Sequence, residues 1–85
     1  MYVDTTTKKI GDVKFGEGVM IFPNCFIGLP SLKSITSEKE GPGKRKTLIG
    51  DGTIIRPNTA IYEGVSVGCC VQIGSNVSIR EGAVL

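Results

Sequence analysis

An all-β solenoid, a three-sided prism of short stacked strands, is the fold class that the sequence predicts, and two periods predict it. The first is a six-residue rhythm from Ile49 to Leu85: Ile49-Gly-Asp-Gly-Thr-Ile, Ile55-Arg-Pro-Asn-Thr-Ala, Ile61-Tyr-Glu-Gly-Val-Ser, Val67-Gly-Cys-Cys-Val-Gln, Ile73-Gly-Ser-Asn-Val-Ser, Ile79-Arg-Glu-Gly-Ala-Val. A branched aliphatic opens every unit. A small or β-branched residue follows four places later, at Thr53, Thr59, Val65, Val71, Val77 and Ala83. A helix would space apolar residues by three and four, and a plain strand would alternate, so neither has this period. The second is an eighteen-residue similarity: Ile55-Arg-Pro-Asn-Thr matches Ile73-Gly-Ser-Asn-Val, and Ile61-Tyr-Glu-Gly-Val matches Ile79-Arg-Glu-Gly-Ala. Three hexads therefore make one coil.

Taken in order, Met1 to Lys9 is Thr- and Lys-rich, and an irregular or edge-forming arm is expected there. At Ile10-Gly-Asp-Val-Lys the rhythm begins one residue short, then continues as Phe15-Gly-Glu-Gly-Val-Met, Ile21-Phe-Pro-Asn-Cys-Phe and Ile27-Gly-Leu. From Pro30 to Leu48 it is lost. Ser31, Ser34, Thr36, Ser37 and Pro42-Gly-Lys-Arg-Lys46 are turn-forming and charged, which predicts a surface loop inserted at a corner. Across this gap Ile21-Phe-Pro-Asn-Cys aligns with Ile55-Arg-Pro-Asn-Thr, thirty-four residues on, so the insertion adds sixteen residues to one coil.

Each side of the prism is then a short strand, stacked at the inter-strand spacing of about 4.8 Å. The leading aliphatics fill the interior in three ladders, with Ile21, Ile55 and Ile73 in one of them. Gly at the second or fourth place supplies the corner conformations. Asn24, Asn58 and Asn76 form a further ladder, suited to satisfying corner backbone groups.

The chain of 85 residues makes one domain, spanning 1–85, and a lone prism of that size is expected to lean on partners. A formal charge of +2, with scattered basic residues and no aromatic platforms beside them, argues against nucleic acid or a membrane surface as partner. No run of about eighteen apolar residues is present, and the first residues lack the regions of a signal peptide; a cytoplasmic location is expected. The three cysteines, Cys25, Cys69 and Cys70, have no metal-ligand spacing and there is no His, so no metal site is expected. Buried or half-buried free thiols are the simpler reading. As neighbours in an extended chain, Cys69 and Cys70 would point to opposite faces.

The repeat from Ile10 to Leu85, loop excepted, resembles the hexapeptide-repeat ("isoleucine patch") acyltransferase superfamily. The stretch from Ile49 to Glu81 is especially similar to its sugar- and sugar-nucleotide-modifying acetyltransferases. The resemblance implies a left-handed parallel β-helix, here of about three to four coils. The left hand comes from the resemblance alone, since parallel crossovers in general favour the right. It also implies a homotrimer, acetyl-CoA bound in a cleft between prisms, and a small-molecule acceptor, a sugar or an amine. The open coil at Ile79 to Leu85 suggests end-to-end pairs of trimers, or a longer enzyme of which this is a part.

Family members use a histidine as general base on the acceptor. Where many relatives have Gln-Thr-Gly-His-Asn-Val, this chain has Gln72-Ile-Gly-Ser75-Asn76-Val. A serine hydroxyl does not accept a proton near neutral pH, so Ser75 cannot act as that histidine does. Glu63 and Glu81 occupy one place of successive coils, where stacked like charges are unfavourable and can raise one pKa, as a base requires. The alternative is that both splay into solvent near Arg56, Tyr62 and Arg80. Ser75, Glu81 and Glu63 are thus the catalytic candidates, with Arg56, Tyr62, Gln72, Asn76 and Arg80 as candidates for the acceptor. Lys44, Arg45 and Lys46 are candidates for the CoA phosphates, or a solvated loop. The reading opposed to an acetyltransferase is a non-catalytic trimeric scaffold or binding module that kept the fold and lost the chemistry.

Overall fold

The structure is a computed structural model that describes residues 1–36 and 45–85. Among the described residues eleven short strands follow the hexad rhythm and one short helix interrupts it: β1 (Tyr2–Val3), β2 (Lys8–Lys9), β3 (Val13–Phe15), β4 (Met20–Ile21), β5 (Phe26–Leu29), α1 (Leu32–Thr36), β6 (Thr47–Ile49), β7 (Ile54–Ile55), β8 (Ala60–Tyr62), β9 (Ser66–Val67), β10 (Gln72–Ile73) and β11 (Ser78–Ile79). Every third strand shares a sheet, and all pairing is parallel. The first sheet runs β1-β4-β7-β10, the second β2-β5-β8-β11 and the third β3-β6-β9. A parallel bridge from Ser66 to Val84 extends the third sheet. The chain is therefore a parallel β-solenoid.

Each strand is centred on the last residue of one hexad and the first of the next, which point to opposite faces. The first places fill the core. Ile21, Ile55 and Ile73 are in register in the first sheet, and Ile27, Ile61 and Ile79 in the second. All six are buried, together with Ile49 and Val67 of the third sheet. Backbone bonds carry each coil on the next: the Ile54 N–H donates to the Val71 carbonyl (2.9 Å) and the Met20 N–H to that of Thr53 (3.0 Å).

The repeat begins earlier than Ile10. Val3 pairs with Ile21, Lys9 with Ile27 and Phe15 with Ile49, so a complete first coil starts at Val3. Its second hexad opens on exposed Lys9, not on an aliphatic, and that single polar substitution hides the period. The arm is edge-forming, and two exposed lysines, Lys8 and Lys9, make β2 a charged edge of the kind that discourages further strand pairing.

The fourth place of the hexad is the turn. Gly18, Asn24, Gly52, Asn58, Gly64, Cys70, Asn76 and Gly82 all have positive φ, between 59° and 81°. Gly and Asn are the residues that visit this left-handed region readily, which gives the three asparagines their place. At the second place only Gly28 has the corner conformation expected there (φ 86°), while Gly50 serves a different need. A Cβ on Gly50 would lie 2.5 Å from the Gly68 carbonyl oxygen of the coil beside it.

The fifth place braces the corner from inside. Thr7 Oγ1 donates to the Phe22 carbonyl (2.8 Å), Thr59 Oγ1 to that of Gly74 (2.8 Å) and Thr53 Oγ1 to that of Gly68 (2.9 Å). Buried Cys25 does the same with its thiol, Sγ to the Arg56 carbonyl at 3.2 Å. Cys69 and Cys70, by contrast, are exposed rather than buried, because they occupy a turn and not an extended strand.

Cys70 alone among these turn residues is neither Gly nor Asn, and an L residue in this region costs about 1–2 kcal/mol. Cys70→Gly relieves that strain at some cost in unfolded-chain entropy. A net gain of about 0.5–1 kcal/mol is expected, seen as a rise in thermal midpoint of a few degrees with unchanged circular dichroism.

The rhythm breaks where the second sheet gives way to the third. The excursion is shorter than Pro30 to Leu48, because Thr47 and Leu48 already belong to β6, and it contains the helical turn α1. No helix among the described residues is long and apolar enough to cross a membrane.

Candidate functional site

Three corners join the sheets, and most of the described candidate residues divide between two of them. The first corner, between the first and second sheets, follows β4, β7 and β10. It carries Arg56, Ser75 and Asn76. Ser75 is exposed at the third place of its turn, and Asn76 supplies the left-handed backbone (φ 60°). Arg56 lies over the Phe22 ring, 4.8 Å from its centroid, and so covers an aromatic of the coil below. Gln72 stands apart from both corners, on the outer face of the first sheet opposite Ile54.

The second corner, between the second and third sheets, follows β5, β8 and β11. Here Tyr62, Glu63, Arg80 and Glu81 stack, and the excursion leaves and returns. Arg80 lies 4.5 Å over the Tyr62 ring and pairs with Glu81, Nε to Oε2 at 3.2 Å and Nη2 to Oε1 at 3.3 Å. Glu81 is not the carboxylate with a raised pKa that stacked charges would make. A hydrogen bond from its own backbone N–H and the pairing with Arg80 hold its pKa below the usual range, and these outweigh the opposing charge of Glu63. A carboxylate stabilised in this way is ionised at neutral pH but weak as a proton acceptor.

Glu63 does not splay into solvent; it is fully buried. Its Oε2 accepts two hydrogen bonds from Ser31, one from the backbone N–H (2.8 Å) and one from the hydroxyl (2.7 Å). Ser31 is itself buried and is the N-cap of α1, its carbonyl accepting from the Ile35 N–H at 3.1 Å. Arg45 lies against Gly64, where a Cβ would sit 3.5 Å from the arginine Cδ. Lys46 is exposed just before β6, and Lys44 lies outside the described residues.

The structure thus brings Tyr62, Glu63, Arg80, Glu81 and Arg45 to one corner and leaves Arg56, Ser75 and Asn76 at another. Two participants were not legible from the repeat. Phe22, the partner of Arg56, reads only as a turn residue. Ser31 carries a signal in Pro30-Ser31 ahead of Leu32, a helix-start pattern, but five residues are too few for any helical period to show. Among the described residues no group of three or more Cys, Asp or Glu side chains is placed to hold a metal ion, and no cavity is enclosed. No protein-family model matches the chain, and no similarity to a curated protein or to a solved structure reaches significance.

Proposed function

We propose that the chain is the left-handed parallel β-helix of an acetyl-CoA-dependent acetyltransferase, acting in the cytoplasm on a sugar or an amine. It assembles as a homotrimer, and the donor is held between neighbouring prisms. The observation that carries this reading is the hexad register itself. The likeness to hexapeptide-repeat acyltransferases rests on the repeat from Ile10 to Leu85, loop excepted, and above all on the stretch from Ile49 to Glu81, and the parallel register of its first-place aliphatics supports it. Among the described residues the first-place aliphatics are buried in the interior, which supports a site on the outer faces and corners.

The chemistry that suits these residues is transfer by positioning. An amine that is already deprotonated adds to the thioester carbonyl of acetyl-CoA. Collapse expels the CoA thiolate, and the proton lost by nitrogen ends on that sulfur or in water. Holding the two reactants together supplies the acceleration. A hydroxyl acceptor needs a base, and neither Ser75 nor the paired Glu81 is a strong one.

A second reading, a non-catalytic trimeric scaffold, is favoured by one observation. The catalytic candidates do not converge within the prism, since Ser75 is at the first corner while Glu81 and the enclosed Glu63 are at the second. Calorimetric titration of acetyl-CoA, then thiol release with amino and hydroxyl sugars, separates the two. Expected are binding, release with the amino sugar only, and a gain of hydroxyl acetylation in Ser75→His. If acetyl-CoA binds neither the native chain nor the variant, the scaffold reading stands instead.

A further inference from the structure

Two arginines of the prism lie on aromatic rings, and they are placed alike. Arg56 and Arg80 both hold the second place of a hexad. Each covers the second-place aromatic of the coil below, Phe22 at 4.8 Å from the ring centroid and Tyr62 at 4.5 Å. The register puts them there: Ile21 pairs with Ile55 and Ile61 with Ile79, so the residues that follow are stacked one coil apart. At the first corner the Phe22 N–H donates to the Ile55 carbonyl (2.9 Å) and the Arg56 N–H to that of Ile73 (3.0 Å), which ties the backbone of the stack to its neighbours.

A guanidinium that lies on a ring keeps its N–H donors in its own plane, where their fork matches two oxygens of a carboxylate or phosphate. Arg80 shows that fork in use: its Nε and Nη2 meet the two oxygens of Glu81 at 3.2 and 3.3 Å. Glu81 is the third-place residue of the same hexad, and at the first corner that place is Pro57, which has no acid to offer. The next coil supplies Gly74, Ser75 and Asn76 to this corner, none of them acidic, and Gly74 has no side chain to stack on Arg56 as Arg56 stacks on Phe22. Among the described residues the first corner carries one carboxylate, Asp4, two coils from Arg56. That carboxylate already accepts from the Tyr2 hydroxyl (2.8 Å) and the Thr6 N–H (2.9 Å). Arg56 itself is exposed, and no carboxylate among the described residues pairs with it. The same ring-stacked arginine thus receives an oxyanion from its own hexad at the second corner and none at the first.

We propose that the Arg56 guanidinium, held on Phe22, is the docking point for an oxyanion of a ligand, a carboxylate or a phosphate, gripped by two donors as Arg80 grips Glu81. In the acetyltransferase reading Arg56 is a candidate for the acceptor, and the acceptor then carries such a group. That extension rests on the acetyltransferase reading; the anion site does not.

The test is a titration of the whole isotope-labelled chain with sodium acetate, and separately with inorganic phosphate, at constant ionic strength set by chloride. The arginine Nε–H resonances are followed by NMR and assigned with Arg56→Lys and Arg80→Lys. The Arg56 resonance is expected to shift saturably, with half-saturation on the order of 10 mM, as two charge-assisted hydrogen bonds on an exposed group would give. That of Arg80 is expected to stay still. Saturation by acetate alone identifies a carboxylate ligand, by phosphate alone a phosphate, and by both the chemistry they share. Pro57→Glu puts a carboxylate where Glu81 stands in its own hexad, and is expected to abolish the Arg56 response. Glu81→Gln is expected to give Arg80 a response of its own, and Phe22→Ala to weaken binding at Arg56 several-fold. An Arg56 resonance that moves no further than that of Arg80 in the native chain, or that saturates unchanged in Pro57→Glu, would overturn the proposal. Neither probe is an acetyl donor, so failure of this site and failure of acetyl-CoA to bind are separate results.

Discussion

Replacing Ile55 by alanine is expected to cost about 3 kcal/mol, within the range for large-to-small changes at rigid core sites. Ile55 has no solvent exposure and is packed between Ile21 and Ile73 of the coils on either side. The β-strands that carry these residues are tied by backbone bonds in both directions, Phe22 N–H to the Ile55 carbonyl and Arg56 N–H to that of Ile73. The walls of the new cavity therefore have little freedom to close. Domains of this size have a total stability of roughly 5–10 kcal/mol, so the loss is a large share of it. Ile54→Ala, on the outward side of the same strand, is the control and is expected to cost about 1 kcal/mol or less, in proportion to its partial exposure. Urea denaturation of both variants checks the register. Equal losses would mean that β7 is displaced by one residue, since a slip of one exchanges every inward side chain for its outward neighbour.

What the sequence discloses of this fold depends on how far a residue's job is shared with its counterparts one coil away. Ile21, Ile55 and Ile73 do the same work in successive coils, so their ladder was readable across a sixteen-residue interruption. Lys9 does not do the work of Ile27 above it, and one such residue was enough to make Met1 to Lys9 look unpatterned. The candidate site is less legible still, for a physical reason. Glu63 and Glu81 are equivalent in the repeat but opposite in environment, one enclosed by Ser31 and the other paired with Arg80 in the open. The difference arises entirely from the excursion, which obeys no period. Cys25 and Cys70 show the same divide, since a fifth-place thiol braces a carbonyl while a fourth-place thiol faces solvent.

Gly28→Ala is expected to be the most disruptive glycine-to-alanine change among the described residues, because two independent constraints act on that residue. Its backbone has φ 86°, in the left-handed region that side chains resist. A Cβ there would also lie 2.2 Å from the Ile10 carbonyl oxygen and 2.9 Å from Val13 Cγ2. Ile10 cannot simply yield, since its N–H is bonded to the Ile27 carbonyl at 2.8 Å and ties the first coil to the second. The left-handed conformation contributes about 1–2 kcal/mol and the steric displacement about 1–3 kcal/mol, for an expected loss of about 3 kcal/mol. Gly28 is also where the register of β5 shifts so that the chain can leave the prism over Glu63. The loss in stability should therefore be accompanied by faster hydrogen exchange in two places at once, residues 8–14 of the first coil and residues 30–36 of the excursion. Gly18→Ala supplies the comparison, as it shares the positive φ (69°) but would meet no atom closer than 4.0 Å. It should show only the conformational cost, about 1–2 kcal/mol, with exchange at residues 30–36 unchanged. If Gly28→Ala proves no worse than Gly18→Ala, the first coil does not pack against the bulge at Gly28, and the contact between Ile10 and Gly28 has to be discarded.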